Sequence, residues 1–195
     1  MKTVIIKYNA GNTQSVIYAL ERLGITPVLT SNFEEIQSAD KVIFPGVGEA
    51  SSTMRHLQEL GLDRLIPTLQ QPVLGICLGM QLMCDHSEEN DTQCMGVFNI
   101  SVKKFRSKKG EKVPHMGWNN LTPKNSGWIS QNVVDRHMYF VHSYYVPVIE
   151  ETVATCDYIL PFSAALQKNN FYATQFHPEK SGKQGEQIIK NFIEL

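Results

Sequence analysis

Residues 72–83 read PVLGICLGMQLM, an apolar run that turns into a helical pattern and places Cys77 between Gly75 and Gly79. This G-x-C-x-G frame has the spacing of a nucleophile elbow, in which a strand breaks sharply into a helix and lifts one side chain out of the sheet. Small flanking residues suit a strained backbone whose neighbours pass close by. The amino end of a helix also favours thiolate over thiol. The plainer alternative is that Cys77 is a small buried hydrophobe, as most free cysteines are; Cys84, Cys94 and Cys156 have no such frame and read that way.

A sulfur nucleophile needs a base, and of the six histidines His177 has the most telling context. In YATQFHPEK a strand delivers the imidazole, Pro178 stiffens the exit, and Glu179 follows where its carboxylate can fix the ring tautomer. On its own, H-P-E also fits a strand end with a surface ion pair. His56 falls on the polar side of a helical pattern and His137 in a turn-like stretch, so both read as solvated, while His115 and His142 stay open.

Groups so far apart in sequence need a scaffold that folds them together. Strand-like runs at 3–8, 26–30, 41–46 and 72–76 alternate with helical patterns at 13–24, 33–39 and 51–61, and a further helix is expected from Gly79. That rhythm predicts parallel pairing with crossover helices on both faces of an open sheet. Beyond Cys94 the strand-like runs 96–105, 134–147, 152–158 and 171–179 have no helices between them, which predicts an antiparallel extension closed by a helix at 185–195. The fold class expected is α/β, an open mostly parallel sheet with an antiparallel part. In such sheets ligands bind beyond the carboxyl ends of the strands, where YNAGN, PGVG and CLGM converge.

With 195 residues the chain fits one domain, 1–195. Eighteen basic against nineteen acidic side chains leave a net charge of −1, too little field to gather nucleic acid or anionic lipid. The basic run 103–112 reads as a solvated hairpin or a docking patch. No eighteen-residue apolar run and no signal-peptide pattern occurs, and four cysteines without C-x-x-C spacing do not read as a disulfide framework. A cytoplasmic location is expected.

The two blocks PVLGICLGMQLM and ATQFHPEKS, in this order and spacing, resemble the class I (triad) glutamine amidotransferases, and the likeness spans essentially the whole chain. PGVG at 45–48, VPHMGWN at 113–119 and MYFVHSYY at 138–145 narrow the resemblance to the glutaminase subunits of imidazole glycerol phosphate synthases. The resemblance implies hydrolysis of glutamine to glutamate and ammonia with no cofactor or metal. The ammonia would pass to a separate (β/α)8-barrel cyclase subunit in histidine biosynthesis; a paralogue feeding another acceptor, as in surface-sugar biosynthesis, would share these blocks. It implies that Cys77 is the nucleophile and that His177 and Glu179 are the base and its orienting carboxylate. Gly48, Gln81, Ser143 and Tyr144 would hold glutamine, and Trp118, Tyr139 and Lys180 would face the partner. The oxyanion would meet the Leu78 N–H and a donor from the loop of Gly46, Val47 and Gly48. The first loop, KYNAGN, departs from the family pattern at Lys7 and Ala10.

Overall fold

Up to Leu82, short apolar runs and amphipathic segments alternate, and each becomes a strand or a helix. β1 (Thr3–Ile6), α1 (Thr13–Arg22), β2 (Val28–Thr30), α2 (Phe33–Gln37), β3 (Lys41–Gly46), α3 (Ala50–Leu60) and α4 (Leu62–Leu65) lead through a 3-10 turn at Ile66–Thr68 to β4 (Val73–Cys77) and α5 (Leu78–Leu82). The remainder is strand-rich. It comprises β5 (Cys84–Ser87), β6 (Thr92–Gln93), β7 (Phe98–Lys104), β8 (His115–Asn120), β9 (Thr122–Pro123), β10 (His137–His142), β11 (Tyr144–Tyr145), β12 (Thr152–Tyr158), β13 (Leu160–Lys168) and β14 (Phe171–Thr174), then a 3-10 turn at Pro178–Lys180 and α6 (Gly182–Ile193). The computed structural model of the chain describes residues 1–8, 12–107, 110–124, 127–134 and 136–195.

Eight strands form the main sheet in the order β2-β1-β3-β4-β14-β13-β12-β9. The first five run parallel to one another, and β13, β12 and β9 continue the sheet by antiparallel pairing. β1, β3 and β4 are buried along their whole length, as expected for parallel strands covered on both faces. Successive side chains alternate between two cores. Val4, Ile6, Val42 and Phe44 face the one roofed by α2, α3 and α5, and Ile5, Ile43 and Leu74 face the one roofed by α1 and α6. Two small sheets, β10-β8 and β11-β7-β5-β6, stand beside the main one.

Several expectations are corrected here. The helix after the elbow starts at Leu78 and lasts five residues before β5 begins. β8 and β13 are strands in stretches where no strand was expected. His137 opens β10 and does not sit in a turn. The closing helix starts at Gly182, ahead of the expected 185. Lys103 and Lys104 of the basic run end β7, and Lys103 pairs with Glu88 at 3.3 Å; Lys108, Lys109 and the Asn9–Gly11 part of the first loop, Ala10 included, lie outside the described residues. Among the described residues no helix is long and apolar enough to cross a membrane.

Candidate active site

β4 ends on Cys77 at φ 55° and ψ −108°, a conformation that costs a residue with a Cβ on the order of 1–3 kcal/mol. The glycines around it serve close approach. A Cβ on Gly79 would lie 2.1 Å from the Phe44 carbonyl oxygen, one on Gly75 2.6 Å from Met83 Sδ, and one on Gly46 2.5 Å from the Gly79 nitrogen. β3, β4 and α5 therefore meet backbone to backbone, and the turn brings the Cys77 side chain to a pocket wall.

His177 arrives on the neighbouring strand. β14 runs parallel to β4 with Thr174 opposite Ile76, so the chain beyond each strand leaves at the same edge of the sheet. There the His177 N–H donates to the Tyr139 carbonyl at 2.9 Å, and Ser181 Oγ donates to the His177 carbonyl at 2.6 Å while accepting the Tyr139 N–H at 3.0 Å. With its backbone held, the imidazole places Nδ1 2.8 Å from Glu179 Oε1, and both side chains are only 2% exposed. A carboxylate can only accept, so Nδ1 carries a proton and Nε2 is the free end. Nε2 is buried and has no partner of ordinary hydrogen-bond geometry among the described residues. Burial opposes charge on this ring, but the Cys77 sulfur and the Glu179 carboxylate outweigh it and raise the His177 pKa to about 10. The cluster thus favours an imidazolium beside a sulfur, an arrangement equipped for nucleophilic attack followed by proton donation. The sulfur also receives Gln175 Nε2 at 3.8 Å and lies 4.0 Å from the Val141 carbonyl oxygen.

Cys77 and His177 open onto a cavity of about 320 Å³. Leu78 and Gln81 of α5, Val47 and Gly48 of the loop after β3, and Ser143 and Tyr144 all reach it. Gly48 has φ +108° with open space where a Cβ would be, so backbone conformation is what demands glycine there. Leu78 begins α5, and its N–H has no acceptor within the helix. Gly46 is not on this cavity's wall; it pairs with Cys77 across β3 and β4 and lines a smaller neighbouring cavity with Val47, His177 and Glu179. Gln81 spends its amide hydrogens inside the protein, donating to the Tyr144 carbonyl at 3.0 Å and to Gln175 Oε1 at 2.9 Å.

Two further residues join the site without having been singled out in the sequence. Glu89 is the one carboxylate among the residues on the cavity wall; burial raises its pKa, and the Ala50 N–H at 2.8 Å works in the other direction. It lies in the polar run SEEND, where nothing marks one acid above the next. Gln175, fully buried, is two residues before His177 in a quoted block, and the strand period of two would have placed it on the same side. Trp118 is 58% exposed and Lys180 is exposed, while Tyr139 is partly buried and packs against Trp118 with ring centroids 6.1 Å apart. The Tyr139 ring is 6.5 Å from that of His177, so this surface adjoins the imidazole.

Residues 4–195 match the family described as Glutamine amidotransferase class-I, and the chain belongs to that family. It is 63% identical to the imidazole glycerol phosphate synthase subunit HisH of Bacteroides fragilis (strain YCH46), covering 100% of both chains. The protein of the same name from Pasteurella multocida (strain Pm70) is 48% identical over 97% of this chain and 96% of its own. A solved glutamine amidotransferase superposes with a TM-score of 0.77 at 19% identity, covering 100% of this chain and 98% of that one, a likeness of fold.

Proposed function

We propose that this chain is the glutaminase subunit of an imidazole glycerol phosphate synthase, working as one domain in the cytoplasm. It hydrolyses glutamine and passes the ammonia to a (β/α)8-barrel cyclase subunit in histidine biosynthesis. Glutamine lies in the cavity with its ammonium toward Glu89 and its side-chain amide at Cys77; Gly48, Gln81, Ser143 and Tyr144 hold the rest. The Cys77 sulfur attacks the amide carbon, and the oxyanion is met by the Leu78 N–H and by the loop at Val47 and Gly48. His177 gives its Nε2 proton to the departing nitrogen, the C–N bond breaks, and a thioester remains. Water then attacks the thioester, giving its proton back to Nε2, and glutamate leaves as Cys77 thiolate re-forms. Glu179 holds the ring in register throughout.

The observation that carries this reading is the strained Cys77 on the same cavity wall as His177, with Glu179 locking the far side of that ring. The test is co-purification with the candidate barrel protein and assay of synthesis with glutamine and with free ammonia. Wild type should use either nitrogen source. Cys77→Ala should use ammonia alone; glutamine-dependent synthesis by that variant would sink the assignment.

A further inference from the structure

The block VPHMGWNN supplies β8, and the triad chemistry makes no use of its His115 or Asn119. His115 faces inward from β8 directly opposite His142 on β10, and both rings are buried. Their nitrogens lie in one unbroken row. The Asn119 backbone neighbour fixes the orientation of its amide: the Asn120 N–H donates to Asn119 Oδ1 at 2.8 Å, while Asn119 Nδ2 faces the Asp157 carbonyl at 3.0 Å and His115 Nε2 at 3.3 Å. An amide NH2 can only donate, so His115 Nε2 accepts and its proton is on Nδ1. His115 Nδ1 is 3.0 Å from His142 Nε2, and His142 Nδ1 is 2.7 Å from the Tyr144 carbonyl oxygen. A carbonyl can only accept, so His142 also carries its proton on Nδ1. Read from either end the assignment is the same: two neutral rings, every hydrogen bond pointing from Asn119 toward Tyr144.

The Tyr144 carbonyl takes a second donor, Gln81 Nε2 at 3.0 Å, which also reaches Gln175 Oε1; Gln175 Nε2 in turn approaches the Cys77 sulfur. With both lone pairs of that oxygen occupied, the peptide after Tyr144 has one orientation, and so does Gln81. We infer that Asn119, His115 and His142 form a one-way hydrogen-bond relay of neutral imidazoles that positions Tyr144 and Gln81 for glutamine. This inference rests on the glutaminase reading above. These are positioning residues, since they act on substrate through Tyr144 and Gln81. Any added proton would have to replace an acceptor at His115 Nε2 or His142 Nε2, breaking the row. In agreement, burial pushes His115 down to about 4 and His142 to about 3, the latter against the pull of the Tyr144 carbonyl. Stacking of His115 between Tyr158 at 4.1 Å and Phe140 at 4.9 Å, centroid to centroid, holds the ring plane.

Long-range proton–nitrogen NMR of the protein labelled with 15N-histidine reads the tautomers directly. At pH 7 His115 and His142 should both be neutral with the proton on Nδ1; a proton on Nε2 of either ring, or an imidazolium, overturns the relay. In the complex with the cyclase subunit, His115→Phe keeps the stacking and removes the donor. It should raise KM for glutamine about tenfold, the scale of one lost buried hydrogen bond, with kcat within about threefold. His115→Asn, whose amide puts an N–H near the old Nδ1, should bring KM back to within about threefold of wild type. Equal KM in wild type and His115→Phe, or equal impairment by Phe and Asn, overturns the proposal. Should His115→Phe fail to fold, the wild-type spectrum and the Asn variant decide. A wild-type complex that releases no ammonia from glutamine sinks the glutaminase reading itself, whereas an active wild type with the other tautomers sinks only the relay.

Discussion

Cys77 is held at positive φ by contacts that surround it, and the strain buys a sulfur that faces a cavity while its backbone belongs to the sheet. Replacing that sulfur leaves those contacts in place. Cys77→Ala should therefore cut glutamine hydrolysis by about a thousandfold or more, with an unchanged melting temperature and normal pairing with the cyclase; steady-state ammonia release and a thermal melt check both halves. The carboxylate beside His177 gives a pH-dependent expectation. The His177 pKa is raised from 6.5 to about 10, with Glu179 among the causes, so the folded ring binds its proton more tightly than the unfolded one. Stability from that pairing is complete below about pH 6.5 and is lost as pH rises through about 10. Glu179→Gln should lower the melting temperature most near pH 6 and least near pH 10, and an equal loss at both would contradict it. That these three side chains meet was legible because their chemistry leaves a local imprint: glycines flanking a cysteine, and a histidine and a carboxylate two apart at a strand end. Glu89 left none, since its place beside the cavity depends on a wall built by α5 and the Ser143–Tyr144 segment.

At the scale of elements, the joint between β3, β4 and α5 tolerates no side chain at Gly79, whose Cβ would sit 2.1 Å from a carbonyl oxygen. Backbone cannot yield as a flexible side-chain tip can, so Gly79→Ala should cost about 3 kcal/mol or more and remove activity by shifting α5 and Leu78. Chemical denaturation beside a glutaminase assay measures both. The facing strands β8 and β10 respond to acid. His115 and His142 are pushed below the ordinary 6.5, to about 4 and about 3, chiefly by burial. The unfolded chain therefore takes up protons that the folded one refuses, and the stability is present above about pH 6.5 and lost as pH falls toward 4. His115→Phe, having one such group fewer, should show a smaller drop in melting temperature between pH 7 and pH 5 than wild type. The parallel half of the sheet was readable because its strands are short apolar runs bounded by helices. β13 was not: its buried centre, Phe162 to Leu166, includes Ser163, Ala164 and Ala165, residues of low strand preference that gain their conformation from β12 and β14 on either side. β8 likewise contains glycine and asparagine, and its order comes from six-residue pairing with β10.

Across the whole molecule, β8 has two faces that do different work. Alternation sends His115 and Asn119 inward to the relay and Met116 and Trp118 outward, where they are 64% and 58% exposed. Two large apolar side chains side by side in solvent, with Tyr139 packed beside Trp118, are the composition expected of the proposed contact surface. The location matters, because Tyr139 anchors the His177 backbone and packs against Trp118, so under the proposed function a partner docked there would abut the His177 imidazole and receive ammonia close to where it forms. Aromatic anchors at the centre of such surfaces each contribute about 2 kcal/mol or more to binding, close to thirtyfold in Kd. Trp118→Ala should weaken association with the cyclase subunit by that factor in calorimetric titration and change the melting temperature of the free chain little, since more than half of the side chain is exposed. Phe33, also exposed at 41% but carried by α2 on the opposite core from β10, provides the contrast. Phe33→Ala should leave the affinity at the wild-type value, and a loss equal to that of Trp118→Ala would move the docking face away from β8.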